Sequence, residues 1–130
     1  MIELLNFTPH KIQIKCENGM MDYEVIGNLR LKAENQVTIE TLPQGIIVRN
    51  PQKFIGLDIP DILNDSKERH ILVSMPVGEW LAAHPEVLPN VKVYGPDTGP
   101  SQVIRRTKEE SDEKNKEGEI LGSKSVVRYR

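Results

Sequence analysis

The sequence predicts a mainly β (α+β) fold, a small antiparallel sheet with one short helix and a long charged hairpin. Three observations carry that reading. Apolar residues fall in short β-branched runs, the chain holds Gly 9 and Pro 9 so that turns must be frequent, and aromatic residues are only 5% of it. A core therefore has to be built from aliphatic side chains between turns. The 130 residues read as a single domain, 1–130, with 107–117 as a solvated charged hairpin or insertion.

Near the start, two short apolar stretches within residues 2–14 flank Thr8, Pro9 and His10. Ile12 and Ile14 alternate with Lys11, Gln13 and Lys15, the period of a half-buried strand. Pro9 lacks an amide hydrogen and pushes Thr8 toward extended backbone, which gives strand, kink, strand. Asn6 and Thr8 are expected to satisfy backbone groups at the kink, and His10 to bond nearby backbone. Asn18-Gly19 predicts a hairpin turn into MMDYEVI. Residues 36–40 (QVTIE) and 45–49 (GIIVR) are β-branched runs joined by a turn at 42–45, and FIGLDI is a third run before Pro60. Residues 61–69 permit one or two helical turns.

The run 70–74 (HILVS) is of the kind buried on both faces and belongs at the centre of the sheet. Pro76 then suits the first turn of a helix in which Val77, Trp80, Leu81 and His84 recur at helical spacing, ending before Pro85. VKVY, the turn GPDTGP and the extended piece QVIRR come next. Residues 107–119 (TKEESDEKNKEGE) hold almost no apolar group and cannot bury a face, so they read as a solvated hairpin loop or a frayed helix. Val126 and Val127 suggest a last strand.

Net charge is −2 with a pI near 5.9, so the long-range attraction behind non-specific nucleic-acid binding is missing from the whole chain, although a local basic patch stays open. No apolar run approaches the roughly 20 residues of a membrane helix, and MIELLNFTPHKI lacks the pattern of a signal peptide; the expected location is cytoplasmic, with no membrane partner. Cys16 has no second cysteine to pair with and reads as an inert strand residue. His10, His70 and His84 show no zinc spacing, and no phosphate-cradling glycine motif is present. No metal, cofactor or catalytic set is therefore expected.

The candidate chemistry lies in YGPDTGPSQVIRR. Pro96 and Pro100 fix two φ angles, Gly95 and Gly99 permit tight bends, and Asp97 and Thr98 can bond their own backbone. Two prolines remove amide donors, so the turn is a poor phosphate cradle and a better support that aims the two arginines beyond it. Arg105 and Arg106 are consecutive, so on a strand only one of them faces a given pocket; either offers a guanidinium fork suited to phosphate or carboxylate. A salt bridge to the acidic tract beyond them is the competing reading. Tyr94 and Trp80 are the aromatic candidates, Trp80 being equally suited to core filling. Asp97, Thr98 and Ser74 complete the candidate ligand-binding set.

Three islands, LLNFTPHKI, ILVSMPVGEWL and YGPDTGPSQVIR with the later GEILGSKSV, together resemble a family of small phage and prophage proteins. Its pattern is an opening L-N-x-T-P-H, a central I-V-S strand, a P-x-T-G-P turn followed by an arginine, and a closing G-x-I-x-G strand. The charged segment 108–116 departs from it, since a short turn is usual there. Within that group the sequence looks most like the first-described class of Thoeris anti-defence proteins. The resemblance implies a non-enzymatic homo-oligomer with sites between subunits, in the cytoplasm of the infected cell. Such a protein sequesters cyclic ADP-ribose signals made by bacterial TIR-domain enzymes. An accessory enzyme, or a protein-interaction module using the acidic hairpin, is the alternative.

Overall fold

A computed structural model describes residues 3–34, 37–118 and 120–130; Ile2, Gln36 and Glu119, which belong to predicted segments, lie outside the described residues. Strands dominate. They are β1 (Leu4–Asn6), β2 (Ile12–Cys16), β3 (Gly19–Tyr23), β4 (Arg30–Ala33), β5 (Ile39–Thr41), β6 (Ile47–Arg49) and β7 (Phe54–Asp58), then β8 (Arg69–Leu72), β9 (Val91–Pro96), β10 (Val103–Arg105), β11 (Ile120–Ser123) and β12 (Val126–Arg128). One α-helix, α1 (Met75–Ala83), and a single 3₁₀ turn at Asp61–Leu63 complete the described elements. The mainly β (α+β) class is thereby established, and no helix among the described residues is long and apolar enough to cross a membrane.

The central sheet has the order β1-β8-β9-β12. Its predicted antiparallel character needs correcting, because β1 runs parallel to β8 and β8 parallel to β9, and only β12 is antiparallel to its neighbour. The cause is the connection: α1 carries the chain from β8 back to the start of β9, and such a crossover gives parallel neighbours where a tight turn cannot. The run HILVS is internal as expected, with Ile71, Leu72 and Val73 fully buried. On the face that meets α1, Ile71, Val73, Val91 and Val93 pack with Val77 and Leu81, and with Phe7, Leu29, Leu57 and Leu63. Each such side chain is worth about 1.5–3 kcal/mol in apolar burial. Alternation along β8 and β9 then puts His70, Leu72, Lys92 and Tyr94 on the opposite face.

A second sheet, β10-β11-β2-β3, mixes antiparallel hairpins with one parallel bridge between β11 and β2. The β2–β3 hairpin turns at Asn18-Gly19, where Gly19 has φ +114°, a region open to glycine. Asn6 ties the kink together. Its Nδ2 donates to the carbonyls of His10 and Tyr23, both at 2.8 Å, while its Oδ1 accepts from the Thr8 amide at 2.9 Å and the Thr8 hydroxyl at 2.6 Å. Cys16 sits on β2 with its thiol directed to the Ile14 carbonyl at 3.6 Å.

Residues 30–34 and 37–58 form a two-stranded arm. β4 pairs with β7 at its base and β5 with β6 at its tip, and bonds from Glu34 N to Lys53 O (2.9 Å) and Asn50 N to Thr38 O (3.0 Å) continue the ladder between them. The base is anchored because Leu31 and Leu57, opposite each other, meet the core. β4 is not among the predicted strands, although RLKA alternates Leu31 and Ala33 with Arg30 and Lys32 and is half-buried in the same alternation.

Candidate ligand-binding site

The turn after β9 is braced inward. Asp97 Oδ1 accepts from the Gly99 amide at 3.0 Å, its Oδ2 lies 3.4 Å from the Ser125 hydroxyl, and its own amide donates to the Ser125 carbonyl at 3.0 Å. The Ser125 hydroxyl is nearer to Gln102 Oε1, at 2.9 Å. Asp97 thus fastens the turn to the chain before β12, while Thr98 is exposed beside it.

Both arginines beyond the turn serve the charged hairpin. Arg105 is exposed at the end of β10, beside a bulge, and donates to the Gly118 carbonyl at 2.8 Å, while the Gly118 amide donates to the Arg106 carbonyl at 3.0 Å. The half-buried Arg106 acts on the acidic tract through its charge. The Glu110 carboxyl is held below its ordinary range first by the Thr107 hydroxyl and amide, with Arg106 adding the last contribution. The Asp112 carboxyl is lowered first by the amide and side chain of Asn115, then by the Lys114 amide, with Arg106 again contributing. Residues 107–117 are accordingly a loop of side-chain-capped turns, the solvated hairpin rather than the frayed helix.

Trp80 and Tyr94 are not brought together. Trp80 is on α1, packed against the main core and stacked on His84 with ring centres 3.8 Å apart, and the His84 ring bonds the Trp80 carbonyl at 2.8 Å. Tyr94 occupies the face of the central sheet turned away from that core. Ser74 stands at the head of α1 without a side-chain cap bond, next to Val73, whose amide donates to the Tyr94 carbonyl at 2.8 Å. Ser74 and Tyr94 are therefore neighbours along the top of β8 and β9, and Trp80 belongs to the helix.

Around Tyr94 the structure assembles residues that the sequence did not single out. Arg128, its direct partner on β12, places its guanidinium carbon 5.6 Å from the Tyr94 ring centre. His70 lies 3.0 Å through Nδ1 from the Tyr94 hydroxyl, the two rings nearly parallel at 18° with centres 5.8 Å apart. Lys92, the partner of His70 in register, is exposed on the same face; it borders a shallow hollow shared with Glu68 and Asn90. Arg128 makes no ion pair among the described residues. Three adjacent strands thus carry two exposed cations and a half-buried imidazole and phenol on one face, beside the fully buried Leu72. Such a surface suits an anion attached to a flat ring, since a guanidinium offers both a donor fork and a stacking plane. In comparisons with protein-family models, with curated proteins and with solved structures, nothing matches this chain.

Proposed function

We propose that this protein binds and holds a phosphorylated nucleotide signal of the cyclic ADP-ribose type without transforming it, and so blunts a bacterial TIR-based antiphage defence. The observation that carries the reading is the register of β8, β9 and β12, which gathers His70, Lys92, Tyr94 and Arg128 on one face of the central sheet. A pyrophosphate asks for guanidinium and ammonium donors, and an adenine asks for a flat, polarisable platform. Arg128 and Lys92 answer the first demand, and Tyr94 with the guanidinium plane of Arg128 answers the second. The islands from LNFTPH to GEILG that resemble phage anti-defence proteins supply the biological setting, the cytoplasm of an infected cell.

Sequestration and turnover are separated by one experiment. Protein is incubated with a cyclic ADP-ribose isomer, washed free of unbound ligand, and denatured by heat, and the supernatant is resolved by liquid chromatography and mass spectrometry. Unaltered ligand released in proportion to protein is expected. Release of a hydrolysed product would make the protein an enzyme, and an empty supernatant would remove the ligand class altogether.

A further inference from the structure

β1 closes one edge of the central sheet and keeps one side open. Its inner side is taken by β8: the Phe7 amide, just past β1, donates to the Leu72 carbonyl at 2.9 Å, so Leu5 and Phe7 turn their backbone groups inward. Asn6 points the other way, and its carbonyl accepts from the Ile26 amide at 2.9 Å in a single parallel bridge to Val25. Leu4, two residues earlier, shares that outward orientation. Its amide and carbonyl meet no backbone partner on that side among the described residues. An edge of this kind is a template for a further strand.

The open edge borders a hollow of about 550 Å³, whose apolar lining is Leu4, Leu5, Met21, Tyr23 and Ile26. Met21 and Ile26 are 51% and 50% exposed, so the apolar wall is uncovered. Alternation sorts that wall by chemistry. Met21 and Tyr23, opposite Ile14 and Ile12, take one face of β3, and Asp22 and Glu24 take the other, where Lys11 reaches them at 3.1 and 3.6 Å. Glu3 is the third carboxylate of the lining, and three carboxylates against one ammonium leave two negative charges.

We infer that the hollow takes an extended segment of a partner protein, one that alternates apolar residues with lysine or arginine and adds to the free edge of β1. The outward amide and carbonyl of Leu4 supply main-chain bonds, as in strand addition to any open sheet. The period of a strand puts the segment's apolar side chains over Met21, Tyr23 and Ile26 and its cations beside Glu3, Asp22 and Glu24. Acidic charge on the rim selects a basic segment and repels an acidic one. The inference is independent of the ligand reading, since Arg128 lies on β12, at the opposite edge of the same sheet.

Fluorescence polarisation on the full chain tests it, with a short labelled peptide alternating valine with lysine as the probe. Saturable binding is expected, and a peptide alternating valine with glutamate should bind at least about tenfold more weakly. Methylating every second amide of the probe, in the register that faces β1, should cost a similar factor. Met21→Ser with Ile26→Ser should weaken the probe about tenfold, and Glu3→Lys with Glu24→Lys should reverse the preference between the two peptides, with far-UV circular dichroism unchanged. Absence of binding, equal binding of both peptides, indifference to methylation in both registers, or a charge-reversed protein that keeps its lysine preference would each overturn the inference. A sedimentation mass that falls in the charge-reversed protein would give the hollow to a second copy and overturn it too. Arg128→Ala should bind the peptide like the parent, so failure of the ligand reading is read separately.

Discussion

The Arg128 guanidinium and the Tyr94 ring face each other across β12 and β9 at 5.6 Å, and the hydroxyl of the same tyrosine lies 3.0 Å from His70 Nδ1. One cation–π contact at an exposed site is worth about 0.5–1 kcal/mol. On the proposed reading this contact favours the Arg128 position that a ligand would meet, which lowers the entropy lost on binding. Replacing Tyr94 with Phe keeps the ring and removes the hydroxyl, and affinity for a cyclic ADP-ribose isomer should fall only a few-fold. Tyr94→Ala removes the platform, and the loss should exceed about tenfold, near 1.4 kcal/mol, by isothermal titration calorimetry.

Arg105 donates to the Gly118 carbonyl and so closes the neck of the charged hairpin. Arg105→Ala should cost about 0.5–1.5 kcal/mol locally and leave the global melting temperature nearly unchanged. Limited proteolysis should show faster cutting within residues 107–117, and unchanged cutting would show that the neck is held by other bonds.

Tyr129 lies in a slot that two glycines leave open. A β-carbon built on Gly78 would stand 2.3 Å from the Tyr129 ring, and one on Gly95 2.8 Å from it. Gly78→Ala therefore forces α1 and the Tyr129 ring apart, at a cost of about 1–3 kcal/mol in chemical denaturation. The double variant with Tyr129→Ala should recover part of that loss, because the clash is gone although the ring's packing is gone with it.

Arg130 holds the exit of α1. Its Nη1 donates to the carbonyls of Leu81 (3.1 Å), His84 (3.2 Å) and Val87 (2.8 Å), and its Nη2 to those of Leu88 and Val91. Leu81, in the last turn of α1, also accepts from the His84 amide at 3.2 Å, so Arg130 adds a second donor there and ties the helix end to the chain leading into β9. Arg130→Ala should destabilise the fold by about 2–3 kcal/mol, seen as a fall in melting temperature. Arg130→Lys should recover little of it, since one ammonium cannot span carbonyls that a planar fork reaches.

Local features are legible in the sequence and pairings are not. Pro9 beside Thr8 foretells the kink that Asn6 satisfies, and Pro76 with Val77 and Leu81 foretells α1. HILVS lies inside a sheet, as its unbroken apolar run requires. The parallel partners of that strand cannot be read, because β1 and β8 meet across more than sixty residues of chain, and periodicity says which face a side chain takes, not which strand lies beside it. The candidate site shows the same limit. Tyr94 stands out beside a marked turn, whereas His70, Lys92 and Arg128 sit in RHIL, VKVY and VVR, which read only as strands until the register brings them together. Arg105 and Arg106 draw attention through position in the sequence, and their bonds and charge support the hairpin.

Calorimetric titration of a cyclic ADP-ribose isomer into the parent, Arg128→Ala and Arg105→Ala proteins tests the central claim most directly. If Arg128 faces phosphate as proposed, removing that charge-assisted donor should cost about 1.5–3 kcal/mol, so Arg128→Ala should bind at least about tenfold more weakly, while Arg105→Ala should bind like the parent. Full affinity in Arg128→Ala, with loss in Arg105→Ala, would contradict the account and return the site to the hairpin neck.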